Sequence, residues 1–146
     1  MHCHCYLRNG VVFIPTLGAL DAGGHMETEP VEVVPVVDTA QLRQAFGRCF
    51  ARGNPPKRMP RTRADWPPPL LPKYAHVKSR SAFERGLSTW DINDGKGAWE
   101  IHGHRKGRFG RGTERDPEQR TALPPGTPIE QVIERMIAIL QSAAKG

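Results

Sequence analysis

Three stretches of this sequence predict a single α+β domain, with a mainly antiparallel sheet built from hairpins and two main helices packed on it. In the first, Cys5 to Ile14, Asn9-Gly10 separates two apolar runs. Asn-Gly fills both positive-φ positions of a two-residue turn whose twist suits the strands it joins. In the second, Leu87 to Gly103, two alternating segments flank Asn93-Asp94-Gly95-Lys96-Gly97, one holding Trp90 and Ile92 and the other Trp99 and Ile101. Those pairs are expected to face each other across a hairpin ladder. In the third, Ile129, Val132, Ile133, Met136, Ile137 and Leu140 recur at helical spacing and make one apolar stripe. A chain of 146 residues with 38% hydrophobic content is the size of one ordinary domain, so one core suffices.

The remaining elements follow in order. Pro15 has no N–H to give and is expected to end the first hairpin's pairing, leaving Leu17 to His25 as a loop. Glu29 to Val37 is β-branched and apolar on both faces, which predicts a strand, with Pro35 turning its end toward an edge. Asp38 or Thr39 caps a helix whose stripe is Leu42, Ala45, Phe46, Cys49 and Phe50, and Gly53-Asn54-Pro55 stops it. Residues 55–72 form a basic, proline-rich loop, expected to cross the surface and to be pinned by Trp66 and Leu70-Leu71. Ser81 to Glu84 has the spacing of a capping box, so a short helical turn closed by Gly86 precedes the tryptophan hairpin. Residues 105–125, rich in Arg, Gly and Pro, read as a second loop, and Thr127-Pro128-Ile129-Glu130 as the start of the last helix.

Composition narrows the class of function. No run approaches the ~20 apolar residues of a membrane span, and the N-terminus lacks a basic segment followed by an apolar one, so the expected location is the cytoplasm. Three cysteines, an odd count, fit reduced thiols there. The formal net charge is +6, concentrated in Lys57 to Arg63 and Arg105 to Arg111. Such density speeds encounter with anything acidic.

Candidate chemistry is sparse. In a strand His2 and His4 lie on one face and Cys3 and Cys5 on the other, and neither these nor His102 and His104 have the knuckle spacing of a structural zinc site, so no metal and no cofactor is expected. The sequence carries no nucleophile elbow, P-loop, dinucleotide fingerprint or zinc-protease helix, and no catalytic residue is assigned. His76, Lys78, Arg80 and Glu84 as a nuclease centre is the third reading, behind an exposed helix face. Arg105, Lys106, Arg108 and Arg111 around Phe109 suit a phosphate backbone with one stacked base. Together with Lys57, Arg58, Arg61 and Arg63 they make nucleic-acid binding the alternative function.

Five blocks carry a resemblance: YLRNGVVFIPT (Tyr6 to Thr16), EPVEVVPV (Glu29 to Val36), ARGNPP (Ala51 to Pro56), KYAHVKSRSAFERG (Lys73 to Gly86) and LPPGTPIEQVIERMIAIL (Leu123 to Leu140). In these the chain resembles a family of small bacterial cytosolic proteins similar to the immunity proteins of contact-dependent inhibition and other polymorphic-toxin systems. The resemblance implies a binder without catalysis whose partner is a cognate nuclease toxin domain. Such inhibitors are commonly acidic, whereas this chain is +6. Complementarity would therefore be local, through Glu27, Glu29 and Glu32 or through Asp91 and Asp94, because steering depends on the patch and not on the net charge. The partner's identity and the oligomeric state are not legible in the sequence.

Overall fold

The computed structural model describes residues 1–108 and 112–146. Asn9 and Gly10 both take positive φ (51° and 75°), and the turn they make joins β1 (His2–Arg8) to β2 (Val11–Leu20). Pairing does not end at Pro15. The ladder shifts register between Pro15 and Thr16 and then resumes from Thr16 opposite Thr28 to Ala19 opposite His25. A bulge is where a strand tolerates a residue without an N–H. Most of the expected loop 17–25 is therefore strand, and β3 (His25–Pro35) starts four residues before Glu29.

With β5 (Ser88–Asn93), β6 (Glu100–Lys106) and β7 (Thr113–Ala122), six strands form an antiparallel sheet in the order β3-β2-β1-β5-β6-β7, and a two-residue β4 (Pro56–Lys57) pairs parallel with the end of β2. Between β5 and β6, Ile92 faces Ile101 as expected. Trp90 does not oppose Trp99. It lies across from Gly103, while Trp99 precedes β6 and meets the edge of Phe50 at 5.4 Å. The second expected loop is also largely strand, since β7 closes the sheet beside β6. Its sequence, TERDPEQRTA, has no apolar alternation because an edge strand with little buried surface needs none.

Alternation sorts the β1 side chains. Cys3, Cys5 and Leu7 point into the main core, beneath α1 (Thr39–Arg52) and α4 (Ile129–Lys145), with Phe46, Met136 and Leu140. All three thiols are free and buried, and Cys3 Sγ lies 3.8 Å from Cys49 Sγ. Tyr6 points the other way, to a smaller cluster with Phe13, Leu71 and Phe83, covered by α2 (Leu70–Tyr74) and α3 (Arg80–Glu84). The main helices begin and end as polar groups dictate. The Asp38 carboxylate accepts the Gln41 N–H (3.0 Å), and Gly53, at φ 65°, gives its N–H to the Cys49 carbonyl.

Two expected caps are displaced. Ser79, not Ser81, accepts the Ala82 N–H, so α3 starts earlier and Glu84 is left to pair with Arg80 (3.1 Å). At α4 the cap position is Pro128, in extended conformation, while Thr127 donates its hydroxyl to the Pro124 carbonyl (2.6 Å). Residues 55–72 cross the surface and are pinned by Leu71, which is fully buried as expected, but not by Trp66, which is 45% exposed. No helix among the described residues is long and apolar enough to cross a membrane.

Candidate functional site

The helices α2 and α3 cover the second sheet face over Tyr6 of β1, Phe13 of β2 and Val31 of β3, and the face over β5, β6 and the start of β1 shows a polar surface centred on Asp91. Register assembles it. Asp91 lies between His4 of β1 and His102 of β6, so three polar side chains sit abreast on one face. His2 is held by Asn54, whose side-chain amide pairs with both the N–H and the carbonyl of His2 at 2.8 Å, as a strand neighbour would.

A local irregularity brings in the rest. His102 opposes Arg120 and His104 opposes Arg115, so β7 spends extra residues, Asp116 to Gln119, where β6 spends Gly103 alone. The Asp116 carboxylate closes this excursion by accepting from the Glu118 N–H and Gln119 Nε2, both at 3.0 Å. Gln119 crosses over Gly103, and a Cβ there would collide with it, which is the demand this position makes for glycine.

The excursion sets Arg115 against Asp91: Nη2 donates to Oδ1 at 2.8 Å and Nε to Oδ2 at 3.1 Å. His104 Nε2 lies 2.6 Å from Oδ2. An ionised carboxylate only accepts, so Nε2 donates its N–H to it, and Nδ1 lies 3.2 Å from the Thr113 hydroxyl. Burial alone would raise the Asp91 pKa, but the His104 and Arg115 hydrogen bonds outweigh it and hold the carboxyl well below the usual range. Next door, hydrogen bonds from Arg120 and His102 hold Glu100 down to about 2. Burial pushes His4 to about 4, with His2 adding to the shift, and burial lowers His2 as well. The His2 ring stacks on His25 at 4.9 Å and meets His4 edge-on at 5.5 Å.

Chemically this is a saturated network. Both Asp91 oxygens are taken by cations or N–H donors, and both His104 nitrogens are committed. Among the described residues no three His, Cys, Asp or Glu side chains converge as a metal cage. Elsewhere, an apolar hollow of about 600 Å³ lined by Phe50, Trp99, Ile129 and Ile133 is rimmed by the Arg43–Glu134 ion pair and reads as a seam between α1 and α4.

Each carboxylate singled out in the sequence has a partner within the chain. Glu27 accepts the Tyr6 hydroxyl (2.6 Å) and faces Arg80, Glu29 pairs with Lys73, Glu32 with Arg48, and Asp94 with the N-terminal ammonium. Arg80 lies over the Tyr6 and Phe83 rings, and His76 is exposed with no side-chain hydrogen bond to it among the described residues. Of the basic residues, Arg105 is paired with Glu114 and Asp116, while Lys57, Arg58, Arg61, Arg63, Lys106 and Arg108 are exposed and in no ion pair with a described residue. Phe109 and Arg111 lie outside the described residues. The role of Arg115 was hidden by a segment that looks like loop, since Thr113 to Asp116 are all polar and show no strand alternation.

No family model and no curated protein matches this chain. Among solved structures it is similar to NMB0488, a protein of unknown function from Neisseria meningitidis, with a TM-score of 0.65 and 13% identity over 97% of this chain and 93% of that one. At that identity the likeness is one of fold.

Proposed function

We propose that this chain is a non-catalytic binding protein of the cytoplasm that acts by covering a surface of its partner, in the manner of an immunity protein neutralising a nuclease toxin domain. One observation carries the reading. Glu27, Glu29, Glu32, Asp91 and Asp94 are each in an intrachain ion pair, whereas Lys57, Arg58, Arg61 and Arg63 are in none with a described residue. Charge that is already paired has little left for a partner, so the recognition charge is cationic and the surface it suits is acidic. The resemblance in the five sequence blocks supplies the kind of partner. Relative to the sequence reading, the sign of the recognition patch is reversed.

The test is co-expression with the toxin domain encoded beside this gene. Growth protection and a co-purified complex are expected; a neighbourhood with no such toxin, or a chain that neither binds nor protects, ends the reading.

A second reading is favoured by Trp66, exposed beside those cations: single-stranded nucleic acid, held by charge and one stacked base. Retention on oligonucleotides that falls steeply with salt would support it, and no retention at low salt would remove it.

A further inference from the structure

We infer that Lys57–Trp66 is a docking surface for an acidic protein segment that brings an apolar side chain with it. The inference rests on the binding-protein reading and names the surface that does the binding.

Three features converge on this segment. The first is charge: four exposed cations within seven residues, Lys57, Arg58, Arg61 and Arg63, none paired with a described residue. The second is shape. Hollows of about 680, 550 and 470 Å³ adjoin one another here, the first between Lys57, Trp66 and β3, the second floored by Met26, and the third against Asp21. Met59 and Trp66, which line them, are 36% and 45% exposed and are two of the four exposed large apolar side chains among the described residues. Arginine beside an exposed aromatic is the composition that dominates binding energy at protein interfaces.

The third feature is preorganisation. The segment is tied to the β2–β3 turn by Ala19 N–H to the Pro55 carbonyl (2.8 Å), Asp21 N–H to the Lys57 carbonyl (3.1 Å) and Met59 N–H to Asp21 Oδ1 (2.9 Å). Proline at positions 55, 56, 60 and 67 fixes φ in the same stretch. A loop already held open loses little conformational freedom when a partner arrives.

Carboxylates in the walls that are in no ion pair with a described residue favour protein over nucleic acid: Asp65 lines the second hollow and Asp21 the third. A polyphosphate carries charge at every step and would run against each of them. An acidic protein segment places its carboxylates one at a time, opposite the guanidiniums, and sets an apolar residue against Met59 and Trp66.

The experiment is a titration of the ¹⁵N-labelled full chain with three probes: an acidic Glu/Asp peptide with one central leucine, the same peptide with serine in that place, and oligothymidylate. The leucine peptide should move the Trp66 indole resonance and the amides of residues 57–66, about tenfold more tightly than the serine peptide if a leucine is partly buried. Arg58→Glu/Arg61→Glu should weaken it by about tenfold or more; both residues are exposed, and the milder Arg58→Ala/Arg61→Ala gives the same sign should the reversal unfold the chain. Shifts centred on His104 instead, no movement of Trp66, or tighter binding of oligothymidylate than of either peptide would overturn the inference. Protection from the neighbouring toxin separates the two claims. A chain that binds the peptide here yet fails to protect loses the immunity reading alone, and protection that survives Arg58→Glu/Arg61→Glu removes this surface alone.

Discussion

Around Asp91, a guanidinium, an imidazole N–H, the Thr113 hydroxyl and a neighbouring Glu100–Arg120 pair satisfy one another; along Lys57–Trp66, cations in no ion pair with a described residue and an indole stand in solvent. Both patches are rich in Arg, and on chemical type alone the first is the better active-site candidate. The contrast shows that pairing, more than residue type, decides which charges are available. A buried carboxylate that has spent its lone pairs holds strands together, and an exposed guanidinium without a partner is free to recognise one.

If that division is right, the largest stability effects fall on the first patch. Asp91→Ala removes a carboxylate 4% exposed and strands His104 and Arg115, at a cost of about 3 kcal/mol, read as a lowered midpoint in urea. An unchanged midpoint would mean the network is decorative.

Next comes acid. The folded His4 titrates at about 4 against an ordinary 6.5, so between those values the unfolded chain binds a proton that the folded chain refuses. Stability therefore falls as pH drops from 6.5 to 4, by about 2 kcal/mol once partial exposure is allowed for. Asp91 and Glu100, with depressed folded pKa values, hold their contribution above the usual carboxylate range and lose it only as pH falls below that range. His4→Asn should flatten the upper part of this profile and leave the lower part, whereas a wild-type curve level from 6.5 to 4 would contradict the burial of a neutral imidazole.

The smallest stability effects belong to the second patch: Arg58→Ala and Arg61→Ala should each stay within about 0.5 kcal/mol of wild type. A larger loss in either would show the loop to be structural after all.

Legibility in the sequence follows the same divide. Apolar periodicity announced the main helices because burial imposes the period, and the Asn9-Gly10 turn announced the first hairpin because both its positions need positive φ. Periodicity was silent on β7, whose polar edge gains its place by main-chain pairing to β6 and by Arg115 reaching Asp91. Composition misplaced Trp66, since a large apolar residue in a proline-rich loop looks like an anchor; of the anchors expected there, Leu71 alone is buried. The carboxylate patch was named from charge alone. Which acids are already neutralised is a tertiary fact, set by contacts such as Glu32 with Arg48 and Glu29 with Lys73 across different elements.

The most direct test of the account is one NMR spectrum of the labelled chain with the acidic leucine peptide, with the Trp66 indole reporting on one patch and the rings of His2, His4 and His104 on the other. The account predicts that the indole resonance moves and the imidazole resonances stay. Imidazole shifts with an unmoved Trp66 indole would place recognition on the Asp91 face and contradict it.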